Sequence, residues 1–141
     1  MTDYYKKKKK NLLKYNIAVP EKETKSHMLA LGMRLDQICF GDYSIDFNFD
    51  NLTMIQWGGI LEIRVKSKLT RIDIEKQEHK KKGSATLGLL GLDVKQVYEE
   101  AKDHILLEFN NGIELALYFL SNHEMESGTI TSGITGKFHV Y

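Results

Sequence analysis

The chain has 141 residues, 42% hydrophobic and 28% charged, which fits one globular domain and excludes a disordered polymer. A single cysteine (Cys39) excludes an internal disulfide and a thiolate zinc site, and one proline (Pro20) excludes proline-rich recognition. The formal net charge of +1 conceals an asymmetry: residues 1–26 carry eight lysines against three acidic residues, so residues 27–141 carry 12 basic and 16 acidic residues.

Residues 1–26 read as a flexible basic segment. Five consecutive lysines (Lys6 to Lys10) repel one another and extend the chain, which makes them a solvated tail before a binding element. Only Leu12-Leu13 follow before Lys14, which leaves no signal-peptide core. No apolar run approaches the ~18 residues of a membrane helix, so the expected location is the cytoplasm, with no membrane insertion. Residues 11–19 allow a short helix or strand, and residues 20–30 read as a linker.

From Leu31 onward the signal is β. Ile45, Phe47 and Phe49 alternate with Ser44, Asp46 and Asn48, the period of a strand buried on one face. Leu52 to Trp57 returns after the Asp50-Asn51 turn, and Gly58-Gly59 breaks the chain again. Leu61, Ile63 and Val65 alternate with Glu62, Arg64 and Lys66; Thr70, Ile72 and Ile74 alternate with Arg71, Asp73 and Glu75. Residues 76–88 read as a polar loop with Lys80-Lys81-Lys82-Gly83 at its tip. Strands follow near Leu92–Tyr98, Ile105–Phe109 and Ile113–Leu120, the last two joined by Asn110-Asn111-Gly112, a hairpin signal. The third of these is apolar on both faces, which predicts a central strand. From Met125 the chain is again β-like, broken at Gly128, Gly133 and Gly136.

The most specific feature is an internal repeat. Leu31-Gly32 matches Leu90-Gly91, Leu35 matches Val94, Gln37 matches Gln96 and Ile38 matches Val97. After one extra residue in the second copy, Ile45, Phe47 and Phe49 match Ile105, Leu107 and Phe109, and Asp50-Asn51 matches Asn110-Asn111. Glycine at the same point of each copy predicts a backbone geometry that only glycine enters cheaply. The expected fold is mainly β: an antiparallel β-sandwich or half-barrel of roughly eight to ten strands, built from two β-meander units over 31–75 and 90–141.

Catalytic signatures are sparse. The five histidines show no metal-ligand spacing, and no phosphate loop, nucleophile elbow or dinucleotide fingerprint occurs, so neither metal nor cofactor is expected. His123 with Glu124 or Glu126 is the best acid–base pair, but strand alternation would place His123 opposite both carboxylates. A small hydrolase is therefore a minor alternative. Cys39, between Ile38 and Phe40, reads as a small buried hydrophobe. Trp57 is either an exposed binding anchor or a cap on the core.

The two-copy pattern, closing on Glu124-Met125-Glu126-Ser127-Gly128-Thr129-Ile130, is similar to a family of small bacterial β proteins found beside polymorphic toxins. Within it the chain resembles the immunity proteins of contact-dependent growth inhibition systems. The resemblance covers residues 31 to about 131. It implies a non-catalytic cytoplasmic protein that binds the C-terminal domain of a cognate toxin and occludes its active site. Many such toxins are nucleases with cationic clefts, and an acidic body complements such a cleft. The expected contact residues are the outward carboxylates Asp42, Asp46, Glu108, Glu114, Glu124 and Glu126, with Trp57 and Tyr98 as anchors. A nucleic-acid-binding module using the lysine-rich tail and Lys80 to Lys82 is the other alternative, disfavoured by the acidic body.

Overall fold

Alternating apolar residues that must leave water on one side only dictate paired strands, and ten form among the described residues. The computed structural model describes residues 30–100, 103–119, 127–134, 136 and 138–141, with Glu100 and Phe138 described by backbone alone. The strands are β1 (Leu35–Phe40), β2 (Ile45–Phe49), β3 (Thr53–Trp57), β4 (Ile60–Val65), β5 (Lys68–Asp73), β6 (Val94–Glu100), β7 (His104–Phe109), β8 (Glu114–Tyr118), β9 (Gly128–Ser132) and β10 (Phe138–Val140). They form two five-stranded antiparallel sheets, in the orders β1-β2-β3-β9-β10 and β6-β7-β8-β4-β5. The sheets make a sandwich and not a closed barrel, around one core that includes Phe47, Ile55, Trp57 and Ile130 from the first sheet and Leu61, Ile105, Phe109 and Leu117 from the second.

Written in that order, the sheets are equivalent: each takes three strands from one repeat and two from the other. The repeats have exchanged their last two strands. The seam where they meet has matched bonds in both directions. Gly32 N–H donates to Val94 C=O and Gly91 N–H to Leu35 C=O, both at 2.8 Å; Leu35 N–H donates to Leu92 C=O at 3.0 Å and Val94 N–H to Met33 C=O at 2.9 Å. Reciprocal contact of this kind is the signature of a two-fold relation. Gly32 and Gly91 have φ of 78° and 80°, the left-handed region the sequence anticipated for both. Each copy also carries a bulge, between Leu35 and Gln37 and between Val94 and Gln96.

The hairpin turns match in the same way. Leu52 N–H donates to Phe49 C=O, and Gly112 N–H to Phe109 C=O. Asn51 Oδ1 accepts from Thr53 N–H at 3.1 Å, and Asn111 Oδ1 from Ile113 N–H at 3.0 Å. Asparagine at this point ties the turn to the next strand in both copies. Gly112 and Leu52 both sit at positive φ, 88° and 68°, so the first copy holds a left-handed leucine where the second has glycine.

One expectation is corrected. Residues 76–88 are not a plain loop: α1 (His79–Lys82) and a 3₁₀ segment (Gly83–Leu89) occupy them. One helical turn is not stable by propensity alone. Here docking holds it: the buried His79 contacts the Gly41 carbonyl through Nε2 at 2.7 Å, and Phe40 lies over Gly83, where an added Cβ would come within 2.8 Å of the ring. The same region guards the free edge of β5. Glu78 accepts from Asp73 N–H at 2.9 Å, and Lys82 Nζ reaches the Arg71 carbonyl at 3.4 Å. An unguarded edge invites another strand. The segment expected as a short helix or strand at 11–19 lies outside the described residues.

Candidate functional site

Because the sheets are equivalent, their outward faces can be compared position by position. On the first sheet the outward residues of the central strands are Asp46 and Asn48 on β2, Met54 and Gln56 on β3, and Thr129 and Thr131 on β9. The equivalent residues of the second sheet are Leu106 and Glu108 on β7, Glu114 and Ala116 on β8, and Glu62 and Arg64 on β4. At the next positions Tyr98, Arg71 and Tyr118 stand where the first sheet has Cys39, Val140 and Gly58. One scaffold thus carries a nearly neutral face of amides and hydroxyls and a second face of charges and tyrosines.

The centre of the charged face is Glu62, 7% exposed on an outward position. A carboxylate so buried needs partners, and it has three. Tyr118 Oη donates to Oε1 at 2.7 Å, Arg64 Nη2 to Oε1 at 3.0 Å, and Arg71 Nη1 to Oε2 at 3.1 Å. Arg64 Nη2 also donates to Tyr118 Oη at 2.8 Å, and the Arg71 guanidinium lies 5.7 Å from the centre of the Tyr118 ring. His104 stands against the same ring, 4.9 Å between centroids. Burial pushes the Glu62 carboxyl upward, but the hydrogen bonds from Tyr118, Arg64 and Arg71 outweigh it and hold it below the usual glutamate value. Burial, then the hydrogen bond to Glu62, raises the Tyr118 phenol, which keeps it a donor. The hydrogen bond to Glu62 raises Arg64.

Three of the expected contact residues come together beside this network. Glu108 and Glu114 are directly opposite each other on β7 and β8, and Tyr98, 41% exposed, lies on β6 across from Leu106. Lys95 approaches Glu108 at 3.7 Å; Glu114 has no ion-pair partner among the described residues. Like charges facing across a strand pair cost about 0.2–1 kcal/mol, which an incoming cation relieves.

The other expected residues are elsewhere. Asp46 is on the outward face of the first sheet, accepting from Ser44 Oγ at 3.3 Å. Asp42 is in the β1–β2 turn, at the lip of an open groove of about 360 Å³ between Phe40, His79 and Leu87. Trp57 is not an anchor: it is fully buried, its indole N–H donates to the Ile60 carbonyl at 3.3 Å, and Phe119 and Tyr141 flank its ring at 6.2 and 6.0 Å. An aromatic buries roughly 150–250 Å², about 4–6 kcal/mol of transfer free energy, so the core keeps it. Cys39 is half-buried on an outward face near Asn48, and not the core hydrophobe expected. Lys80 approaches Asp42 at 3.8 Å and Lys82 approaches Glu78 at 3.5 Å, so these lysines belong to a docked helix and not to a loop tip. Glu124, Glu126, His123 and Lys6 to Lys10 lie outside the described residues.

Glu62, Arg64, Arg71 and Tyr118 are the residues that sequence reasoning missed as a group. Alternation placed Glu62 and Arg64 on one face, but Tyr118 is 56 residues from Glu62 and meets it only through the strand exchange. Among the described residues no group of three or more His, Cys, Asp or Glu could hold a metal ion, and no helix is long and apolar enough to cross a membrane. No family model matches the chain, and neither a curated protein nor a solved structure matches it.

Proposed function

We propose that this chain is a non-catalytic binding protein that neutralises a cationic toxin domain, as the resemblance to immunity proteins implies, and that it docks through the outward face of the second sheet. The observation that carries the reading is the difference between two faces on one scaffold. The fold is satisfied by Asn48, Met54 and Cys39 on the first sheet, so Glu108, Glu114 and Tyr98 at the equivalent positions of the second are free to serve recognition. Paired strands hold these side chains in a fixed register, and a carboxylate pair beside an exposed tyrosine suits a basic cleft: the carboxylates meet its cations and the ring supplies contact area.

The test is complex formation with the toxin domain encoded beside this chain's gene. The wild-type chain is expected to form a complex that weakens steeply with salt and to abolish the toxin's activity. Glu108→Lys with Glu114→Lys should weaken the complex by at least about 1.4 kcal/mol, tenfold in affinity, while Asp46→Lys on the other sheet leaves it intact. No complex at low salt, or equal binding by the double variant, overturns the reading.

A further inference from the structure

We propose that Arg64 and Arg71 form a receptor for one carboxylate group of the protein partner, at the β4–β5 side of the same face. This deepens the docking reading above and rests on it for the partner's identity, but not for its test. Both guanidinium groups are held by a single buried carboxylate, one on each oxygen of Glu62 at 3.0 and 3.1 Å. Glu62 therefore fixes the two cations side by side. Tyr118 adds a hydrogen bond to Arg64 and a ring face to Arg71. A guanidinium has five N–H donors. Among the described residues Arg64 uses only Nη2 and Arg71 only Nη1 for side-chain hydrogen bonds, and their side chains are 30% and 54% exposed. Unused, pre-oriented donors remain at the surface.

Charge decides the class of anion. Two arginines less one glutamate leave +1, which a single carboxylate balances. Glu114, without an ion-pair partner among the described residues, stands directly across from Arg64 on β8; it brings the local sum to zero and so opposes a dianion such as phosphate more strongly than a single carboxylate. The planar fork of arginine also matches a carboxylate edge to edge. The fold does not require the cluster: Thr129, Thr131, Val140 and Gly58 occupy the equivalent positions of the first sheet.

The experiment follows the arginine Nε–Hε signals of the full chain by ¹⁵N NMR during titration with sodium acetate, and separately with inorganic phosphate, at constant ionic strength. The Arg64 and Arg71 signals should move saturably with acetate and less with phosphate. Arg71→Lys keeps the charge but removes the fork, and should weaken the acetate response of Arg64 about tenfold. No saturable movement, an unchanged titration in Arg71→Lys, or tighter binding of phosphate overturns the proposal. If the acetate response is missing while the salt-sensitive complex forms, only the receptor is lost; if the response is present and no complex forms, only the toxin reading is lost.

Discussion

Gly91 shows what a single residue contributes. Its φ of 80° lies where a Cβ is disfavoured, yet a Cβ there would meet no atom within 4 Å, so substitution tests the backbone alone. Gly91→Ala should cost about 1–2 kcal/mol, read as a lower urea midpoint with an unchanged slope. This glycine was legible because it recurs in both copies. Lys66, at φ 54° in the two-residue β4–β5 turn, was not, since Lys66-Ser67 lacks the Asn-Gly chemistry such turns favour. Glu62 carries a second residue-scale prediction. Its folded-state pKa is depressed, so its stabilisation is complete above the unfolded-chain value of about 4.3 and is lost as the pH falls through the lower folded value. Glu62→Gln should flatten that part of the acid limb of the stability curve, measured by urea titration at successive pH values. The network itself was illegible: four residues from three strands meet only once the pairing of β4 with β8 is known.

Among the elements, the junction of β3 and β9 is the least forgiving. Gly128 pairs with Trp57, and a Cβ on it would run into the Gln56 carbonyl and the Trp57 ring. Gly128→Ala should destabilise by about 1–3 kcal/mol, as overpacking does, and should shift Trp57 fluorescence in the folded state. Strand-by-strand alternation anticipated seven of the ten described strands with small end errors, because burial on one face imposes a period of two, while β1 was marked only as part of the β-like chain from Leu31 and by its match to the second copy. The C-terminal pair β9 and β10 was anticipated only as β-like chain, where Gly133 and Gly136 interrupt the pattern. The short helix α1 escaped because nothing in His79-Lys80-Lys81-Lys82 alternates; its cause is a contact with Gly41, 38 residues away. Trp57 was ambiguous for the opposite reason: an inward strand position followed by two glycines suits both a core cap and an exposed corner.

For the whole molecule, strand exchange means that neither sheet is the product of one repeat. A chain ending at residue 75 would supply β1 to β3 without β9, and β4 with β5 without β8. The separate halves, 27–75 and 76–141, should therefore show no cooperative unfolding alone and recover β circular dichroism when mixed. In the intact chain, Trp57 fluorescence and far-ultraviolet dichroism should trace one coincident transition. The sequence repeat made the two-unit architecture visible, and left the exchange hidden, since pairing order depends on which edges find each other in space. During synthesis this has a further cost. The first sheet stays open until residues 128–132 have left the ribosome, so β3 waits through the synthesis of β4 to β8 without its native β9 partner. A message truncated even a dozen codons before that point would yield a product that cannot close its own core.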